Sequence, residues 1–236
     1  MVTGKREVAG NPVSLGDLTL RIDGSRPLAA ESVAELAGLC GRAEDGDATR
    51  AGAPNLVILR VSGAPGPDWS DELPMNLVSK WERGLRRMER LPALIIVIAE
   101  GDCGGQALDA LLAADYRVMT AGARLVFPVV AGAAWPGMAL YRLARQAAGT
   151  SLARRAALLG TPVGAAEAHA TGVVDDVAEN ATLALDKAVQ VAGTVPGAEV
   201  AIRRQLMLEA TTSTFEEALG AHLAACDRAL RGVTAG

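Results

Sequence analysis

Residues 91–118 read LPALIIVIAEGDCGGQALDALLAADYRV. The run from 92 to 99 is apolar throughout, which marks a strand covered on both faces rather than one with a wet side. Residues 101–105, GDCGG, make a glycine-rich turn, and 106–114 follow as a short apolar helix. Glycine lets backbone approach a ligand closely. The first turn of a helix offers unpaired N–H groups and the positive end of its dipole. Strand, turn and helix together suit an anion, such as a thioester oxygen that gains charge in a transition state. The same unit also serves as a plain tight connection, so its meaning depends on the rest of the chain.

Upstream, residues 18–22 alternate like a half-buried strand. Residues 24–27 read as a turn, 29–40 as a helix, 43–54 as a polar loop and 56–61 as a strand rich in branched apolar residues. Residues 62–74, SGAPGPDWSDELP, form a long Gly/Pro-rich loop of the kind that carries function. Residues 76–91 are amphipathic at helical spacing. Downstream, 116–120 and 124–128 read as short strands. Helices then dominate, over 137–148, 151–158, 164–170, 181–193, 197–209 and 214–231. The pattern predicts one α/β domain with a flexible segment 1–16, a core 17–192 and a helical C-terminal region 193–236.

Composition removes several function classes. Half of the 236 residues are apolar and the formal net charge is −4. No basic patch stands out, so a nucleic-acid partner is not expected. Arg83, Arg86, Arg87 and Arg90 read as a solvated helix face, with a coenzyme phosphate contact as the alternative. Cys40, Cys103 and Cys226 are odd in number and widely spaced. They indicate neither a disulfide framework nor a zinc site, and a reducing, cytoplasmic setting is expected. No signal peptide and no membrane-length apolar run is visible. No metal, flavin or nicotinamide motif appears, and the glycine turn lacks dinucleotide spacing. His169 and His222 lie far along the chain from the turn, and Cys103 within it has no evident base.

The order of segments resembles the crotonase superfamily, which includes the enoyl-CoA hydratases. The resemblance is carried by residues 91–118, by ARLVFPV at 123–129, by WPGMALYRLARQAAG at 135–149 and by ARRAALLGTPVGAAEAHATGVVDDV at 153–177. It implies an α/β fold of the crotonase (Clp-protease-like) type, a spiral of ββα units with a helical C-terminal region. It also implies a homotrimer or hexamer with residues 193–236 at the interface. The substrate would be an acyl-CoA thioester, with coenzyme A as part of the substrate and no separate cofactor.

The resemblance carries over residue by residue. Asp109 falls where hydratases carry the first catalytic glutamate. Val129 falls at the second, so that carboxylate is absent. Asp115 matches an aspartate that closes the helix after the turn, a structural position. One oxyanion N–H maps to Gln106 or Gly105, with Gly104 helping the turn, and Gln106 stands where the family has glycine. The other maps by loop position to Asp68, Trp69 and Ser70. Trp69 is either a lid or a packing residue. Asp68, Ser70 and Asp71 are loop polar residues or a replacement acid, and Asp102 either reaches the pocket or caps the helix.

Within the superfamily, NLVSKWERGLRRMERL, GDCGGQALDALLAADYR and WPGMALYRLA are similar to small crotonase-like accessory proteins of 3,5-dihydroxyphenylglycine biosynthesis in actinobacterial antibiotic clusters. This implies work beside a type III polyketide synthase, in dehydration and aromatisation of a poly-β-keto acyl thioester. A non-catalytic synthase-binding partner and an ordinary enoyl-CoA hydratase or isomerase are the alternatives.

Overall fold

The computed structural model describes residues 18–49, 56–71, 73–147, 150–192 and 196–234; the segment 1–16 expected to be flexible lies outside them. The chain begins with β1 (Thr19–Asp23), α1 (Ala30–Thr49), β2 (Leu56–Gly63), α2 (Met75–Met88), β3 (Leu94–Cys103) and α3 (Gly105–Ala113). Next come β4 (Tyr116–Thr120), β5 (Arg124–Leu125) and a hairpin of β6 (Val129–Val130) and β7 (Ala133–Ala134). Then follow α4 (Met138–Gln146), α5 (Ser151–Leu159), β8 (Val163–Gly164), α6 (Ala165–Ala170) and β9 (Asp176–Ala178). Three helices finish it: α7 (Ala181–Ala192), α8 (Gly197–Ala210) and α9 (Phe215–Thr234). No helix among the described residues is long and apolar enough to cross a membrane.

The main sheet runs β1-β2-β3-β4-β9, all parallel. Its centre bears out the double-sided reading of residues 92–99. Ile95, Val97 and Ala99 join the large core with α1, α2 and α3. Ile96 and Ile98 point the other way, onto the alanines 181, 184 and 188 of α7. Each such aliphatic side chain, fully buried, contributes roughly 1.5–3 kcal/mol. The small alanines let α7 sit close to the sheet.

Two local expectations need correction. The expected loop 43–54 is helical to Thr49, because Ala43 is buried and Glu44 pairs with Arg87 of α2. Tertiary contacts here override a weak local preference. The expected turn 101–105 is strand as far as Cys103. The β2–β3 register jumps from Ser62↔Glu100 to Gly63↔Cys103. Gly101, at φ 63°, and Asp102 bulge out, and the end of β3 then pairs with β5. A bulge re-aims a strand, and this one leaves Gly104 as the sole link into α3.

Gly24, Gly63 and Gly104 interlock beneath that link. A Cβ on Gly24 would lie 2.1 Å from the Gly104 carbonyl oxygen and 2.4 Å from that of Gly63. Backbone cannot yield as a flexible side chain can. Gly24→Ala is therefore expected to destabilise by about 3 kcal/mol, the upper part of the overpacking range. Urea unfolding checks this, through a lower midpoint at unchanged slope.

A buried arginine, Arg204, anchors the C-terminal region to the body, with Arg145 of α4 also donating to the Leu208 carbonyl and to Thr211. All five N–H donors of the buried Arg204 guanidinium are used. Two go to Asp115 at 2.5 and 2.6 Å. The others go to the carbonyls of Glu89 (2.9 Å), Leu91 (3.0 Å) and Ala93 (2.5 Å). Asp115 also accepts from the Ile95 N–H at 2.8 Å, so its role is structural. Beyond this anchor α8 and α9 keep apolar side chains in the open, with Met207 74% and Phe215 73% exposed.

Candidate active site

The turn 24–28 after β1, the loop 65–69 after β2, α2, the start of α3 and the stretch 127–139 line a cavity of about 310 Å³. That is the small end of ligand-binding pockets. Trp69 closes one side. Its ring meets Trp135 edge-on, centroids 5.3 Å apart and planes at 90°. Its indole N–H donates to the Val129 carbonyl at 3.3 Å. The lid and packing alternatives for Trp69 are thus one arrangement: it covers the cavity by packing on the far wall.

Asp109 stands on the cavity wall, on the second turn of α3. The buried Trp81 indole N–H of α2 donates to its Oδ2 at 3.2 Å. Burial, with the negative charge of Glu82 added, pushes the Asp109 carboxyl up to about 7. A carboxyl poised there exists in both protonation states near neutrality, which suits proton transfer.

Glu82, one residue after Trp81, lines the same cavity. Behind it lies Arg142 of α4, only 7% exposed. Its guanidinium donates to Glu82 Oε2 and to Glu89 Oε1, each at 3.0 Å. Burial raises the Glu82 carboxyl and the Arg142 charge acts against that rise.

Gly105 and Gln106 open α3 on the cavity wall. Residues at a helix start have no carbonyl one turn back, so their N–H groups point out of its end. Gly105 has φ 50°, and a Cβ there would meet Pro65 at 2.8 Å. The Gln106 side chain turns back to β1, its Nε2 donating to the carbonyls of Asp23 (3.1 Å) and Arg26 (3.2 Å). The inserted glutamine thus ties the turn to the first strand. In the loop opposite, Pro65 and Pro67 carry no N–H. Gly66, Asp68 and Trp69 are the cavity residues there with a backbone donor.

The structure thus brings Asp109, Gly105, Gln106, Asp68 and Trp69 to one cavity. Gly104 lies just beneath, as the helix N-cap. Ser70 and Asp71 are not on its wall. Val129 is not either: its side chain is 45% exposed, and Phe127 and Pro128 form the wall there. Asp102 pairs outside with Arg124 through two 2.7 Å hydrogen bonds. Cys103 is buried, and burial pushes its thiol up to about 12, far from a nucleophile. His169 and His222 are exposed on α6 and α9. Arg86 and Arg87 are taken up by Glu89 and Glu44. No group of three metal-binding side chains occurs among the described residues.

Sequence reasoning missed Glu82 and Arg142. One signal was present: Glu82 and Glu89 are seven apart, two turns along α2, on the flank of its Trp81–Leu85–Met88 stripe. Two acids beside a buried stripe ask for a buried cation.

Three comparisons bear on this geometry. The enoyl-CoA hydratase/isomerase family profile matches residues 74–233. An "enoyl-CoA-hydratase" of Amycolatopsis orientalis is 51% identical over 216 residues, covering 92% of this chain and 97% of that protein. Among solved structures, an enoyl-CoA hydratase/isomerase from Marinobacter aquaeolei superposes with a TM-score of 0.74 at 19% identity, covering 90% of this chain and 87% of its own. An enoyl-CoA hydratase from Mycobacterium smegmatis gives 0.72 at 20%, covering 93% and 92%. At such identities the structures speak for the fold alone, the crotonase-type α/β fold.

Proposed function

The chain belongs to the enoyl-CoA hydratase/isomerase family, and from that premise we propose that it moves protons beside the thioester carbonyl of an acyl-CoA, with Asp109 as acid and base. One observation carries this. A carboxyl held near neutrality shares one cavity with Gly105 and Gln106, the residues that open α3. The thioester oxygen would rest at Gly105 and Gln106, with a second N–H from Gly66, Asp68 or Trp69. Such donors stabilise the charge that develops as an α-proton leaves. Coenzyme A enters as part of the substrate.

A narrower reading is dehydration and aromatisation of a poly-β-keto thioester beside a type III polyketide synthase. It is favoured by Val129, where ordinary hydratases have a carboxylate, and by the aromatic wall of Trp69 and Trp135. A reconstitution tests both levels. Purified protein is given crotonyl-CoA, and separately a dihydroxyphenylacetyl-CoA-type synthase with malonyl-CoA. Hydration of crotonyl-CoA supports the general reading. A gain in aromatic product that depends on Asp109 supports the narrower one, and a gain that survives Asp109→Asn points to a binding partner instead. No effect in either assay sinks the proposal.

The exposed apolar side chains of α8 and α9 support self-association as a trimer or hexamer. Light scattering should return three or six times the chain mass of 24.2 kDa. A monomer at micromolar concentration contradicts it.

A further inference from the structure

Water addition and loss at an acyl thioester call for two groups that exchange protons, and the family position for the second holds Val129. We infer that Glu82 of α2 is that second group, a catalytic carboxylate on the cavity wall. This rests on the acyl-CoA reading above.

The geometry supports the assignment in three ways. Glu82 and Asp109 line the same cavity, on neighbouring helices joined by the Trp81–Asp109 hydrogen bond. The Glu82 carboxylate is held from behind by Arg142, which Glu89 braces in turn. An arginine buried between two glutamates cannot lose its charge, so it fixes the Glu82 carboxylate in place and acts against the rise that burial imposes on it. That negative charge is in turn one reason why Asp109 keeps its proton. Glu82 is hydrogen-bonded to a guanidinium and Asp109 to a neutral indole, and two carboxyl groups in such unequal surroundings divide the roles of base and acid.

The groups facing Asp109 are Glu82 and Trp81 from α2 and Arg142 from α4, with Glu89 behind the arginine. Arg26 and Asp68 lie elsewhere on the cavity wall. In dehydration of a β-hydroxyacyl thioester, the Glu82 carboxylate takes the α-proton. The thioester oxygen carries the charge at the start of α3. The β C–O bond then breaks as Asp109 gives its proton to the departing hydroxyl. A carbon–carbon double bond forms and water leaves. Glu82 ends protonated and Asp109 ionised, and return of that proton to Asp109 restores the site. Hydration is the same sequence reversed.

The test measures turnover of crotonyl-CoA and 3-hydroxybutyryl-CoA by wild type, Glu82→Gln and Glu82→Asp, each across pH, with circular dichroism to verify folding. Glu82→Gln should lose about a hundredfold or more in kcat, as removal of a general base does, with KM within about threefold. Its pH profile should shift downward, because Asp109 no longer feels the neighbouring charge. Glu82→Asp should keep the wild-type profile position at reduced kcat, and it decides the matter should the glutamine variant not fold. A Glu82→Gln enzyme with kcat within about threefold of wild type and an unshifted profile overturns the assignment while Asp109 keeps its role. Wild type inert on both thioesters overturns the acyl-CoA reading and this assignment with it.

Discussion

Asp109→Asn should lower kcat on crotonyl-CoA by about a hundredfold to ten-thousandfold, the usual worth of a positioned acid–base group. Binding should change little. Asparagine has nearly the same shape, can still accept from the Trp81 indole, and leaves the helix start at Gly105 and Gln106 untouched. KM within a few-fold of wild type is the companion result. A kcat that survives the change removes Asp109 from the chemistry.

The same variant has a pH signature in stability. The folded carboxyl titrates at about 7 against an ordinary 3.8, chiefly because burial disfavours its charge. Below 3.8 the folded and unfolded chains both hold this proton, so nothing is lost. Between the two values the folded protein keeps a proton that the unfolded chain has released. Stability therefore falls as pH rises through this window, and the loss is complete above 7. Asparagine has no such loss. The variant should be the more stable above neutrality by a few kcal/mol, because each pH step of one across the window costs the wild type about 1.4 kcal/mol. Near pH 4 the two should be close. Denaturant titrations at the two pH values measure it. A less active and more stable variant is the mark of a residue kept for chemistry.

Arg204→Ala should be the most damaging single change to the fold. Its guanidinium is bonded at every donor and its partner Asp115 is largely buried. Alanine would leave a carboxylate without its cation and three carbonyls without donors. Breaking one side of a buried pair typically costs about 3–5 kcal/mol. In a chain of this size that is a fall in Tm of about 10 °C, readable by calorimetry. Replacing Asp115 as well, by asparagine, should return part of the loss. A fall below about 2 °C would show that α8 is held by something else.

The longer strands of the sheet were legible from their branched apolar residues, and because residues 92–99 are apolar on both sides. The strand–glycine–helix unit was legible because glycine has few substitutes at such a turn. The β6–β7 hairpin and β9 were not. Two- and three-residue strands carry too few positions for any period to show, and both form only because a neighbour pairs with them. The end of α1 was hidden by its polar composition, which a partner helix overrides. Asp109 was located by counting from Asp115, whereas Glu82 lies 27 residues before it in the chain. Their adjacency exists only after α2 packs on α3. A sequence shows which residues share a helix face; it does not show which two faces meet.

The interlocked glycines 24, 63 and 104 bear on how this scaffold could acquire new substrates. Where Gly24 meets the carbonyls of Gly63 and Gly104, one edge of the cavity is backbone against backbone, with no room to add a side chain. The opposite walls are side chains on a loop and a hairpin, with Trp69 and Trp135 meeting across them. Laboratory evolution toward bulkier or more polar acyl groups should therefore accumulate its changes at Trp69, Leu73, Val78 and Trp135, and leave these glycines unaltered.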